Sequence, residues 1–327
     1  MNMSAGYELK EGKYKQGTLK DDEIWAHFAY LFSSKSHNDT SYKFGFLKSI
    51  LDNLYNTDAS LCLTFDQLFS KFAEIYWNLV LKYHILQKTP GKLNRMSSLE
   101  RVLIESKDKF GLDEDIPYES LTSEMMLTIN KKVKQKCKEN VVGALYGDLG
   151  GIIYSFSKKE EYIQFNPIVY TFLCKNKTIV EKLNYYEWAR FLEKVNSDST
   201  DLLTKIDVSS KRNDLTYYRN ILFEEFENRC FYCGKKLTQS NVHVDHFIPW
   251  SFIKDDNLWN FVLSCSECNL RKNDKLADVS FLETLIHRNK LISVNKYKEM
   301  KFYNADKLHN IYQFAQNNGY EQWKIKH

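Results

Sequence analysis

The chain has 327 residues, 43% of them hydrophobic and 27% charged, with 46 Lys+Arg against 42 Asp+Glu for a formal net charge of +4. That balance excludes an intrinsically disordered chain and supplies enough apolar residues for two domains of ordinary size. No apolar run approaches the ~20 residues of a membrane span, and Met1-Asn2-Met3-Ser4-Ala5 lacks the charged-then-apolar order of a secretory signal, so a cytoplasmic protein without a membrane partner is expected.

Residues 1–22 are polar and show no sustained period, which predicts an irregular arm or cover. From Tyr42 the spacing of Leu47, Ile50, Leu51, Leu54 and Tyr55 predicts an amphipathic helix. Thr64 and Gln67 form a capping-box pattern, and Phe65, Leu68, Phe69, Phe72, Ile75, Tyr76, Leu79 and Val80 supply the apolar face of the helix that follows. Lys88-Thr89-Pro90-Gly91-Lys92 reads as a flexible break, after which Ser97 and Glu100 cap another helix running through Ser106. Residues 123–142 are helical in pattern, with Lys131, Lys132, Lys134, Lys136 and Lys138 forming either a solvated face or a phosphate-contacting patch.

After Gly147-Asp148-Leu149-Gly150-Gly151 the period shifts toward two. Ile152–Phe156 and Tyr162–Phe165, flanking the charged turn Lys158-Lys159-Glu160-Glu161, predict a β-hairpin. The glycines are read as a tight turn, because neither Gly-Lys-Ser/Thr nor G-x-G-x-x-G is present. Residues 168–195 return to helical spacing, and the polar stretches near Asn196–Thr200 and Ser209–Arg212 place a domain boundary near 210. Residues 211–327 hold 18 Lys+Arg against 14 Asp+Glu, so the whole basic excess lies in this C-terminal part, as suits a polyanion partner.

Seven cysteines divide into two C-x-x-C corners and three scattered residues, Cys62, Cys137 and Cys174, which read as small buried hydrophobes. The corners are Cys230-Phe231-Tyr232-Cys233 and Cys265-Ser266-Glu267-Cys268, with 31 residues between them. A two-residue gap lets one tight turn present both sulfurs at about 2.3 Å from a tetrahedral ion, so Cys230, Cys233, Cys265 and Cys268 are expected to bind a structural Zn²⁺. Tyr217–Phe226 is a helix leading into the first corner. Phe281, Leu282, Leu285 and Ile286, then Leu308, Ile311, Tyr312, Phe314 and Ala315, form two later helices that should enlarge the zinc-stapled core.

Between and after the corners the chain carries Val244-Asp245-His246-Phe247-Ile248-Pro249, then Asn260, then Cys265-x-x-Cys268-Asn269-x-x-Lys272. This series resembles the HNH endonuclease motif, and over Val244–Asn273 it is also similar to the HNH domain of RNA-guided CRISPR nucleases, including Ser251-Phe252-Ile253-Lys254-Asp255-Asp256. The resemblance implies two antiparallel strands and a helix around one catalytic metal. It places His246 as general base, Asp245 and Asn269 as ligands of Mg²⁺ or Mn²⁺, and Asn260 as the residue that shapes the loop. A carboxylate, an amide oxygen and water suit such hard cations, and a neutral imidazole can accept a proton near pH 7. Many HNH proteins end the motif in His where Asn269 stands here, and Asn273 is the alternative ligand if the helix register differs. Arg271 or Lys272 is expected to pair with the scissile phosphate. His243 is an auxiliary ligand, a substrate contact or a hydrogen-bonded structural residue, and Trp250 and Trp259 either stack on bases or fill the core.

The fold class expected is α-rich α+β: a mainly helical domain at 1–210, for recognition, regulation or partner binding, and a zinc-stapled ββα-metal nuclease domain at 211–327. The function implied by the resemblance is metal-dependent hydrolysis of DNA, leaving 5′-phosphate and 3′-hydroxyl ends, in a restriction or antiphage defence setting. One site cuts one strand, so double-strand cutting would need a homodimer or a partner protein of a defence complex. Two rival readings stay open: a non-catalytic zinc-ribbon adaptor for nucleic acid, and a structure-specific or RNA-cleaving nuclease.

Overall fold

A computed structural model describes residue 6 and residues 8–36, 38–88, 96–210, 214–292, 296–300 and 302–325. The break expected around Thr89–Lys92 and the linker residues 211–212 lie outside the described residues. The chain forms two compact units, Met1–Lys211 and Arg212–His327, helix-rich with small sheets. Among the described residues no helix is long and apolar enough to cross a membrane.

In the first unit, α1 (Asp21–Leu31) starts at the end of the stretch expected to be irregular and runs through residues for which no element is expected, and α2 (Tyr42–Asp52) is the expected helix with an unexpected environment. It is covered on every side rather than amphipathic: Phe44 through Asp52 are all buried. Its charged residues tolerate this because they satisfy each other. Lys48 Nζ lies 3.0 Å from Asp52 Oδ2 and donates to the Tyr185 hydroxyl at 2.8 Å, while Ser210 Oγ donates to Asp52 at 3.1 Å. Against α2 lies α3 (Phe65–Trp77), whose capping box forms as expected: Gln67 N donates to Thr64 Oγ1 at 3.2 Å, and Thr64 N to Gln67 Oε1 at 2.8 Å. Its aromatic face is continuous, with Phe65 and Phe69 centroids 5.7 Å apart, Phe69 and Phe72 5.6 Å, and Phe72 and Tyr76 4.5 Å. Gly45 makes that approach feasible, since a Cβ there would lie 2.3 Å from the Tyr76 ring.

Ser97 caps α4 (Ser98–Lys109), and Thr122 caps α5 (Ser123–Asp148), which runs on to the glycine turn. Gly150 and Gly151 have φ of 66° and 67°, a left-handed pair that fits the tight-turn reading. The hairpin is β3 (Tyr154–Ser157) with β4 (Tyr162–Phe165), pairing Phe156 with Ile163. It sits inside a four-stranded antiparallel sheet completed by β1 (Glu11–Gly12) and β2 (Cys62–Thr64), in the order β1-β3-β4-β2. Two- and three-residue strands carry no readable period, so neither is foreseen. The long α6 (Pro167–Val195) and short α7 (Leu202–Asp207) finish the unit. Cys137 and Cys174 are buried as expected, while Cys62 is only partly covered.

Of the five lysines of α5, Lys131 and Lys136 are exposed, while the other three have internal partners. Lys134 reaches Asp66 at 2.7 Å and Glu161 at 2.5 Å, Lys138 reaches Glu161 at 2.8 Å, and Lys132 reaches Ser106 at 3.4 Å. Glu161 occupies a left-handed conformation at φ 56°, so the two ammonium groups hold a strained turn.

The second unit begins with α8 (Thr216–Glu225), followed by the antiparallel pair β5 (Val242–His246) and β6 (Phe261–Cys265), with the short α9 (Trp250–Ile253) between them. Then come α10 (Ser266–Lys272), β7 (Leu276–Ala277), α11 (Ser280–Leu291), α12 (Ala305–Asn317) and β8 (Gln322–Trp323), the last pairing in parallel with β7. The tail does enlarge the core: Phe247 and Tyr312 centroids are 6.1 Å apart, Tyr232 and Phe281 5.5 Å, and Tyr232 and Trp323 5.2 Å.

Burial opposes ionisation of Glu161, yet the hydrogen bonds from Lys134 and Lys138 prevail and hold its carboxyl below the ordinary carboxylate value. A depressed native pKa adds stability above the unfolded value and loses it as pH falls. Glu161→Gln is therefore expected to cost about 1 kcal/mol near neutral pH. The difference from wild type in thermal melts should shrink steadily as pH falls below the ordinary carboxylate value; a deficit that stays the same as pH falls would rule out the ionic contribution.

Candidate active site

Asn260 builds the frame. Its Oδ1 accepts from Ile248 N at 2.9 Å, its Nδ2 donates to Ile248 O at 2.8 Å, and its own carbonyl accepts from Phe247 N at 2.8 Å. The amide is fully buried, so all three bonds form in the absence of competing water. They close the loop between the strands directly behind His246, which pairs with Phe261 across the ladder. Residues 245 and 246 would point to opposite faces of an ideal strand. Here the strand ends at His246 and both side chains are buried, whereas His243 is exposed.

The Asp245 carboxylate is held from two sides. The Tyr232 hydroxyl donates to Oδ2 at 2.5 Å, and Lys272 Nζ lies 3.3 Å from Oδ1 and 3.1 Å from Oδ2. Burial, followed by the Asp245 charge, pushes the Tyr232 hydroxyl well above its usual range, so it remains a donor. Lys272 also donates to the His246 carbonyl at 2.7 Å, and its side chain is 0% exposed. Expected at a phosphate, Lys272 is placed instead as the internal counter-charge of Asp245, because the register of α10 turns it inward. Arg271 stays outward at 60% exposure, 2.9 Å from Glu267.

Asn269 precedes Lys272 by three residues on α10 and therefore shares its face, the one turned toward the end of β5. Asn273 lies past the helix, exposed, with φ 45°. Trp259 is buried, and Asn289 Nδ2 donates to its carbonyl at 2.7 Å, as the core reading requires; Trp250 is half-buried, with Lys254 Nζ 5.0 Å from its ring centroid.

His246 packs edge-on to Phe261 at 4.6 Å between centroids, and its Nε2 is 2.9 Å from Asp256 Oδ1. Sequence reasoning assigned nothing to Asp256. Tyr232 likewise carries no expected role. An acidic pair inside the motif and an aromatic beside the second Cys were the available signals, but neither fixes a partner without the fold.

The four sulfurs of Cys230, Cys233, Cys265 and Cys268 lie within 4.8 Å of one another, and Cys233 Sγ is 3.8 Å from Cys265 Sγ. A tetrahedral ion with bonds of about 2.3 Å requires sulfur separations of about 3.8 Å, so the cluster fits zinc. Gly234, at φ 71°, turns the chain after the first corner, and Phe231 N donates to Leu263 O at 2.8 Å, tying that corner to β6.

A family model described as HNH endonuclease matches residues 230–277, from the first corner through β7. No curated protein and no solved structure matches the chain. The matched region points to nuclease chemistry and nucleic-acid binding, and family members use divalent metals.

The purified chain is expected to carry one zinc per molecule by elemental analysis. Cys233→Ser or Cys268→Ser should lower that content and the melting temperature together; a variant that melts like wild type without zinc would remove the stapling role.

Proposed function

We propose that residues 211–327 form a divalent-metal-dependent nuclease that hydrolyses DNA phosphodiester bonds. The observation that supports this best is the placing of buried Asp245 and His246 side by side at the end of β5, with Lys272 of α10 on the Asp245 carboxylate, on a hairpin closed by Asn260 within the segment matching the HNH family. His246 serves as general base toward the attacking water. Asp245 and Asn269 would hold Mg²⁺ or Mn²⁺, because a carboxylate and an amide oxygen are hard donors and Asp245 keeps lone pairs beyond those given to Tyr232 and Lys272. When bound, the cation supplies charge neutralisation at the phosphoryl and departing oxygens. Lys272 holds the Asp245 carboxylate in place, and the outward Arg271 meets the phosphate backbone.

Residues 1–210 are assigned recognition, regulation or partner binding, and double-strand cutting is assigned to a homodimer or a partner protein. The setting proposed is cytoplasmic restriction or antiphage defence, by analogy with cutters joined to a separate sensing unit. One observation favours a second reading, a non-catalytic zinc-ribbon adaptor: the Lys272 ammonium already supplies Asp245 with a cation.

Supercoiled plasmid incubated with the protein and Mg²⁺ or Mn²⁺ separates the two. Nicked product, abolished by chelator and reduced at least about 100-fold in His246→Ala, is the expected outcome. Binding without cleavage under either metal would leave the adaptor, and equal cleavage of an RNA substrate would replace the DNA assignment.

A further inference from the structure

The nuclease reading gives His246 a proton to accept but does not say which ring nitrogen accepts it. Asp256 answers that. Its Oδ1 lies 2.9 Å from His246 Nε2, with side-chain exposures of 6% for the histidine and 4% for the aspartate. An ionised carboxylate has lone pairs and no hydrogen, so the shared hydrogen belongs to Nε2. In a neutral imidazole, Nδ1 then carries the lone pair.

Asp256 is brought there by a loop with little freedom. Asn260 clamps Ile248 near one end, and Lys254, at φ 60°, turns the chain back with its N–H on the Trp250 carbonyl at 2.7 Å. Tyr218 of α8 donates to the Asp256 carbonyl at 3.2 Å, and its ring packs on Phe261 at 4.7 Å, the same ring that meets His246 edge-on. Carboxylate and imidazole are therefore braced by one cluster.

We propose that Asp256 is a positioning residue for His246, fixing the proton on Nε2 so that Nδ1 is the nitrogen that acts as base. During hydrolysis, water would give its proton to Nδ1 as its oxygen bonds to phosphorus. The bond from phosphorus to the 3′ oxygen breaks, and that oxygen is protonated from solvent. The positive charge left on the ring faces the Asp256 carboxylate, a stabilisation absent before proton transfer. Its benefit thus falls on turnover rather than on substrate binding.

The test combines histidine-selective ¹⁵N NMR of the full chain, about two pH units above the ordinary imidazole value, with plasmid cleavage kinetics. His246→Ala assigns the His246 signals. Wild type is expected to show a protonated-type Nε2 and a lone-pair-type Nδ1. Asp256→Asn should keep zinc but lose that fixed pattern, with kcat falling about 10- to 100-fold and KM little changed. The wild-type tautomer is read without any variant, so it decides the geometry even if Asp256→Asn folds poorly; a proton on Nδ1 overturns the proposal. An active wild type whose Asp256→Asn variant keeps both tautomer and kcat overturns the positioning role alone. An inactive wild type overturns the nuclease reading and the catalytic use of the pair with it.

Discussion

The buried amide of Asn260 is the constraint on which the C-terminal unit depends. One side chain satisfies both backbone groups of Ile248, and its own carbonyl takes the N–H of Phe247. Leaving any of these groups unpaired in the interior would cost about 1–3 kcal/mol. The geometry therefore has few alternatives: the strand must end at His246, the loop must return at Asn260, and β6 must begin at Phe261. Everything with chemical potential hangs from that closure. His246 is at one lip, Asp256 is in the enclosed loop, and Phe261, which packs against the imidazole, is at the other lip.

A second layer of support comes from elements outside the motif. Tyr232 enters from the cysteine corner to hold Asp245, Tyr218 enters from α8 to hold the Asp256 loop, and Arg288 of α11 donates to the Phe261 carbonyl. Each contributes a single bond, and none shares a local sequence neighbourhood with the residue it positions. Precision at a small site thus comes from a unit much larger than the motif.

What the sequence reveals follows from how local each feature is. The cysteine corners, the capping boxes at Thr64 and Ser97, and the order Asp245, His246, Asn260, Asn269 depend on fixed short spacings, and so they can be read directly. The inward turn of Lys272 could not be read, because a lysine beside a proposed cation site looks like a phosphate contact until the register of α10 is known. The burial of α2 was hidden for a related reason. Lys48 and Asp52 look like a solvent face, yet the partner that completes them, Tyr185, is 137 residues away. The edge strands β1 and β2 are too short to carry a pattern and exist because β3 and β4 offer them a ladder.

The shortness of α10 has a consequence of its own. At seven residues it is well below the length at which a helix persists in water unaided. It begins at one cysteine of the cluster, carries another in its first turn, and ends at the lysine locked to Asp245. Asn269 sits between these anchors and has no place to stand without them. Assembly of the sulfur cluster and the placing of Asn269 and Lys272 are thus coupled through one short helix. A chain in which the four sulfurs are not yet gathered would therefore lack the anchors that set the register of Asn269 and Lys272.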